Sequence, residues 1–190
     1  MPICEILAIG TELVSGNTLN TNAHYLSRQV SALNIEVGYH SSCRDIEEDI
    51  LDALRLAWGR AQLIFVVGWL GATPDDITRD VIAKFFNCGL EFDRKQYDRI
   101  VRYFRERGKK TPLITKREAS LPEAARPLLN RFGLALGFYV WRDERLLIAL
   151  NGPNGPRDKA VKIQIPPSVK VSASRDRNWQ AKRFMVRQSD

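Results

Sequence analysis

The sequence predicts an α/β fold on a mostly parallel sheet, and three observations carry that prediction. Short apolar runs alternate with amphipathic stretches of helical period through the first ninety residues. Two of those runs, "ICEILAIG" (3–10) and "QLIFVVG" (62–68), are almost wholly apolar, as strands covered on both faces are. Both end in glycine before the next helical stretch, which is the punctuation of βαβ units joined by right-handed crossovers.

The elements follow in order. After the first strand, "NTNAHYLSRQVSALN" (20–34) repeats Ala23, Leu26, Val30 and Leu33 at three- and four-residue spacing, so a helix is expected with Asn20 or Thr21 as N-cap. "IEVGYHSS" (35–42) reads as a second strand. Asp45 is placed to cap a helix over 46–58 with Ile46, Ile50, Leu54 and Ala57 on one face. The third strand leads into "DDITRDVIAKFFNCG" (75–89), a helix expected to stop at Gly89. "RKQYDRIVRYFRERGKK" (94–110) is a helix with Tyr97, Ile100, Val101 and Phe104 turned inward and its arginines solvated. "LALGFYVWRDERLLIALNG" (134–152) reads as a hairpin that turns at Arg142, Asp143 and Glu144. Residues 1–156 make one domain; 157–190, with Pro166 and Pro167 between two alternating stretches, read as an edge strand and a basic tail.

Composition bounds the function classes. The chain is 44% hydrophobic and 27% charged, which fits a soluble globular domain, and no apolar run approaches the length of a membrane span. Its start lacks the basic n-region of a signal peptide. Cys4, Cys43 and Cys88 are an odd number with no CxxC pairing, so free thiols and a cytoplasmic location are expected. The net charge of +7 is almost all in the tail: residues 157–190 carry +6 and residues 1–156 only +1. A whole-protein nucleic-acid reading therefore has little support, and a solvated tail is the better expectation.

In a doubly wound sheet the ligand lies beyond the carboxyl ends of the strands. Three loops leave those ends: "GTELVSGNTLNTN" (10–22), "SSCRD" (41–45) and "GWLGATPDD" (68–76). Two of them combine glycine, hydroxyl and carboxylate residues, and each opens into a helix N-terminus, whose free N–H groups attract anions. Glu12, Asp45, Asp75 and Asp76 add acids to the same rim, and acids beside a phosphate imply a bridging cation such as magnesium. The same residues also have purely structural readings. Asp45 and Asp75 serve equally as N-caps, glycines after strands commonly serve turns, and His24 and His40 have no second ligand at metal-binding spacing.

"AIGTELVSGNTLNTNAHYLS" and "VVGWLGATPDDITRD", followed by "KREASLPEAARPLLN" and "ALGFYVWRDERLLIALNGPNGP", resemble the N-terminal domain of CinA-type competence/damage-inducible proteins. That domain is a relative of the molybdopterin-binding domain of MoaB, MogA and MoeA. The resemblance covers residues 3–156 and implies a three-layer α/β/α sandwich and a ligand, molybdopterin or ADP-ribose, with divalent-metal-dependent ADP-ribose pyrophosphatase activity and a homo-oligomer. It assigns Gly10, Thr11, Gly16, Asn20, Asn22, Gly68, Gly71 and Thr73 to ligand or phosphate binding. It implies catalytic roles for Glu12, Asp45 and Asp76, and metal binding by Asp75 and Asp76. Full-length members also carry a nicotinamide-nucleotide deamidase domain, which a chain of this length is not expected to include.

The departures from the family pattern cluster in the loops. Trp69 replaces the second glycine of Gly-Gly-Leu-Gly-Pro-Thr and Ala72 its proline. Leu134 and Leu136 replace threonine and proline in the following turn, and Asn151 replaces the first proline of Pro-Gly-Pro-Pro. If position 69 requires a positive φ, tryptophan there adds strain on the order of 1–2 kcal/mol. Its ring either fills the pocket, turns outward or stacks on a ligand ring. Three functions follow: a metal-dependent ADP-ribose hydrolase, a binding module for a nucleotide or molybdopterin with impaired catalysis, and an interaction scaffold with a basic tail.

Overall fold

The computed structural model describes residues 2–128 and 134–152, together with the backbone of 172–173 and 184–185. Its main sheet has six strands in the order β2-β1-β3-β8-β7-β6. They are β1 (Ile3–Ile9), β2 (Glu36–Cys43), β3 (Leu63–Gly68), β6 (Arg126–Leu128), β7 (Gly137–Arg142) and β8 (Arg145–Asn151). β2, β1, β3 and β8 run parallel, β7 pairs antiparallel with β8, and edge strand β6 pairs antiparallel with β7.

The two apolar strands are central because they bury both faces. Leu7, Ile9, Ile64, Val66, Leu147 and Ala149 face one core, beneath α3 (Glu47–Arg60) and α4 (Thr78–Phe85). Ile6, Phe65, Val67, Ile148 and Leu150 face the other, beneath α2 (Thr21–Ser31). Alternation along each strand thus feeds two separate cores, and the three expected layers are present.

Several element ends differ from the sequence expectation, each for a local reason. The α2 cap is Asn20, whose Oδ1 accepts from Ala23 N–H at 3.0 Å. Leu33 falls beyond the helix and is exposed. Asp45 does not cap α3. That position is Ile46, which makes no side-chain cap bond and is itself exposed, and Leu51 joins the buried face instead. α4 begins at Thr78, because the preceding Asp75 and Asp76 belong to a turn closed by the Asp76 N–H donating to Thr73 O at 3.1 Å. It ends through Asn87, whose φ of 52° makes the left-handed turn expected of Gly89. Cys88 N–H then reaches Ala83 O and Asn87 N–H reaches Lys84 O, each at 3.0 Å, which satisfies the last carbonyls.

The chain between α4 and β6 makes an excursion. β4 (Leu90–Phe92) pairs antiparallel with β5 (Ser120–Pro122), and between them lie α5 (Arg94–Glu106) and a 3-10 segment, Leu113–Ala119. On α5, Ile100 is buried as expected, while Tyr97, Val101 and Phe104 are half-buried. Gln96 is the unexpected buried residue, and its Nε2 donates to Leu134 O at 2.6 Å. The hairpin turn is the two residues Asp143 and Glu144, both at positive φ (49° and 57°) as a tight hairpin of matching twist requires, with Arg142 in the strand.

Among the described residues no helix is long and apolar enough to cross a membrane. Cys4, Cys43 and Cys88 are free thiols. Burial pushes the Cys4 thiol far above its ordinary range and that of Cys43 up to about 12. The edge strand and tail expected over 157–190 lie outside the described residues, apart from a short antiparallel pairing of Ser172–Ala173 with Phe184–Met185.

Candidate functional site

A cavity of about 70 Å³ opens at the carboxyl edge of the sheet, where a doubly wound fold places its ligand. Its floor is the end of β1 and β3 at Ile9, Val67 and Gly68. One wall is the first loop and the start of α2, with Glu12, Thr18, Asn20 and Asn22. Trp69 and Gly152 close the other side. Four of the sequence-predicted site residues, Glu12, Asn20, Asn22 and Gly68, therefore meet in one place.

The other predicted residues form two local structures beside the cavity rather than lining it. In the first, Thr11 N–H donates to Asp45 Oδ2 at 2.8 Å and Asp45 N–H donates to Thr11 Oγ1 at 3.3 Å. This reciprocal pair ties the short helix α1 (Thr11–Val14) to the end of β2, while Gly10 N–H donates to Cys43 O at 3.0 Å. Gly16 makes the left-handed turn out of α1 with φ 78°.

The second structure is the glycine loop. Asp76, buried to 8% exposure, accepts from the Thr73 backbone N–H at 2.7 Å and from its hydroxyl at 2.6 Å, both on Oδ2. Gly71 must be glycine because a Cβ there would stand 2.6 Å from that same oxygen. Gly68 must be glycine because a Cβ would stand 2.5 Å from Thr78 Oγ1. Gly68 thus serves close approach to α4 and Gly71 close approach to the Asp76 carboxylate before it, and neither has a positive φ. Asp75 is exposed.

The altered positions now have assigned environments. Trp69 stands half-buried in the cavity wall without a positive φ, so the strain considered for it does not arise. Asn151 holds the glycine loop: its Oδ1 accepts from Leu70 N–H at 2.9 Å. Leu136 belongs to the core, and the Leu134 carbonyl is the acceptor for Gln96.

Sequence reasoning missed Arg79 and Arg117. Arg79 on α4 is 1% exposed, and its Nη2 donates to the carbonyls of Leu70 and, at 3.3 Å, Gly71. Its Nε and Nη1 are buried with no hydrogen-bond partner among the described residues. Burial pulls this guanidinium below its ordinary pKa. Arg117, from the excursion, donates through Nη1 to Thr73 O at 2.6 Å and Ala72 O at 3.5 Å, and through Nη2 to Asp80 Oδ2 at 3.0 Å. Neighbouring Glu118 is raised above the ordinary carboxylate range, chiefly by burial.

Asp76 is committed to Thr73, Asp45 to Thr11, and no group of three His, Cys, Asp or Glu side chains among the described residues is placed to hold an ion. As arranged, these residues do not fit a divalent cation.

Fold and cavity define a class: an α/β domain, its sheet covered on both faces, with a candidate small-molecule site at the carboxyl edge. Residues 5–170 match the family described as "Probable molybdopterin binding domain", and the chain belongs to that family. It is 38% identical over 150 residues to a "CinA-like protein" of Dictyoglomus thermophilum, covering 79% of this chain and 36% of that protein. It is 36% identical over 151 residues to a "Putative competence-damage inducible protein" of Caldicellulosiruptor saccharolyticus, covering 80% and 37%. The chain therefore spans just over a third of the length of these relatives. Among solved structures, "the protein CinA with unknown function" from Thermoplasma acidophilum matches with a TM-score of 0.73 at 26% identity, over 80% of this chain and 88% of that one. The molybdopterin biosynthesis enzyme MoaB of Thermus thermophilus matches with a TM-score of 0.51 at 20% identity, over 80% and 82%, a likeness of fold alone.

Proposed function

We propose that this domain binds a phosphorylated small molecule, either a nucleotide diphosphate such as ADP-ribose or a phosphorylated pterin such as molybdopterin, at the carboxyl-edge cavity. The observation that carries the reading is the convergence of the first loop, the start of α2 and the end of β3 with Gly68 and Trp69 on that one cavity. Asn20 and Asn22 supply amide groups there, beside the positive end of an eleven-residue helix. Pockets for whole ligands enclose roughly 300–1,000 Å³. A cavity of about 70 Å³ with Trp69 in its wall admits only part of such a ligand, so the remainder lies over the rim.

Binding ranks before hydrolysis. The family resemblance suggests metal-dependent cleavage of ADP-ribose, but Asp45 and Asp76 already accept loop donors, and no metal site among the described residues supports that step. A homo-oligomer belongs to the same proposal and is read by light scattering on the purified chain.

Calorimetry with ADP-ribose, pyrophosphate and AMP, with and without magnesium, tests the binding. Phosphate released by an added phosphatase measures turnover in the same samples. Micromolar binding without turnover is the expected result. Turnover that depends on magnesium would restore the hydrolase, and absence of binding to every probe would remove the proposal.

A further inference from the structure

Two arginines grip four consecutive carbonyls of the glycine loop from behind. Arg79 takes Leu70 and Gly71, and Arg117 takes Ala72 and Thr73. They come from different parts of the fold, α4 and the 3-10 segment of the excursion. In a planar trans peptide the C=O of one residue and the N–H of the next point in opposite directions. Carbonyls 70, 71 and 72 turned toward the guanidiniums therefore turn the amides of Gly71, Ala72 and Thr73 away from them. The Thr73 amide is taken by Asp76, which leaves those of Gly71 and Ala72 without a hydrogen-bond partner among the described residues.

The charges beneath the loop explain why this needs two cations. Asp76 puts a carboxylate on the loop itself, and Asp80 adds another beside Arg117. With only those acids present, an incoming phosphate would be repelled. Arg79 and Arg117 lessen that repulsion, to which Asp75 on the loop and Glu118 beside Arg79 also add.

We propose that Arg79 and Arg117 are positioning residues that aim the Gly71 and Ala72 amides, and lessen the negative charge around the loop, so that it receives the anionic part of a ligand. This rests on the phosphorylated-ligand reading above and names the residues that make it selective for charge.

Arg117 is the residue to change, because it is half-exposed while Arg79 is buried. Pyrophosphate and, as a neutral probe, adenosine are titrated into the full chain carrying Arg117→Met or Arg117→Lys, and amide exchange is followed over residues 70–76. Arg117→Met is expected to weaken pyrophosphate binding about tenfold and to speed exchange in the loop, while adenosine binding does not change. Arg117→Lys, which keeps the charge, is expected to recover most of the pyrophosphate affinity. Unchanged pyrophosphate affinity in Arg117→Met overturns the clamp alone. Equal losses for both probes mark a merely structural role and also overturn it. A parent protein that binds no phosphorylated probe overturns the underlying ligand reading and the clamp with it.

Discussion

Asp76 Oδ2 lies 2.7 Å from the Thr73 backbone nitrogen and 2.6 Å from its hydroxyl, so the loop's own carboxylate fills the place on Thr73 where an incoming anion would be received. Charge-assisted bonds of this kind contribute more than neutral ones because the acceptor is ionised, and here it is also buried. Asp76→Ala is expected to cost about 2–3 kcal/mol in urea denaturation, and Asp76→Asn less, because an acceptor remains. An alanine variant as stable as the parent would show that the loop closes without this carboxylate.

A second buried acid acts far from the cavity. Glu5, fully buried in β1, accepts from Arg60 Nε at 2.8 Å and Nη2 at 2.7 Å, and from Ser41 Oγ at 2.6 Å. Removing one partner of a buried pair leaves the other charge uncompensated. Arg60→Met should therefore lower stability by about 3–5 kcal/mol, while the double variant Glu5→Leu with Arg60→Met recovers most of that loss. A chemical-denaturation cycle over the four proteins decides. If the double variant is as damaged as Arg60→Met, the cost lies in packing and not in the stranded carboxylate.

These two acids mark the boundary of what the sequence discloses. The central strands were legible because an uninterrupted apolar run is a local signal, and β1 and β3 stand where "ICEILAIG" and "QLIFVVG" place them. The hidden features depend on contacts between distant residues. Asp75 and Asp76 look like a helix start, but the Asp76 side chain turns back to Thr73 and α4 begins later. Asn87 takes the left-handed position because asparagine tolerates it, although Gly89 nearby is the more obvious candidate. Glu12, Asn20, Asn22 and Gly68 meet at one cavity because the fold class puts their loops at one edge, while it is the family resemblance that singles out Asn20, Asn22 and Gly68 within those loops. Arg79 and Arg117 were not legible, since only the folding back of the excursion brings Arg117 onto residues 72 and 73. Asn151 likewise finds Leu70 across 81 residues of chain.

Trp69 limits the cavity by bulk and not by strain, since its φ is not positive. Trp69→Gly removes the indole from the wall while Asn151 and Arg79 still hold Leu70. The variant is expected to bind ADP-ribose about tenfold more tightly by calorimetry, a gain of about 1.4 kcal/mol, at some cost in thermal stability. Weaker binding would mean that the indole stacks on the ligand and belongs to the site.

Glu118 gives the protein a pH signature. Burial raises its carboxyl most, Asp76 raises it further, and Arg79 pulls it down. The folded state therefore holds the Glu118 proton at a pH where the unfolded chain, with a glutamate pKa of about 4.3, has released it. In that interval the folded state binds more protons, so stability falls as pH rises from the unfolded value through the raised folded one. Above it the cost of the half-buried charge is fully present. Glu118→Gln removes the ionisation, and its melting temperature should exceed the parent's at pH 7 while the two coincide near pH 3.5. Thermal denaturation of both proteins across that range checks it. A variant that melts lower at pH 7 would mean that attraction to Arg79 outweighs burial and that the carboxylate is held for its charge.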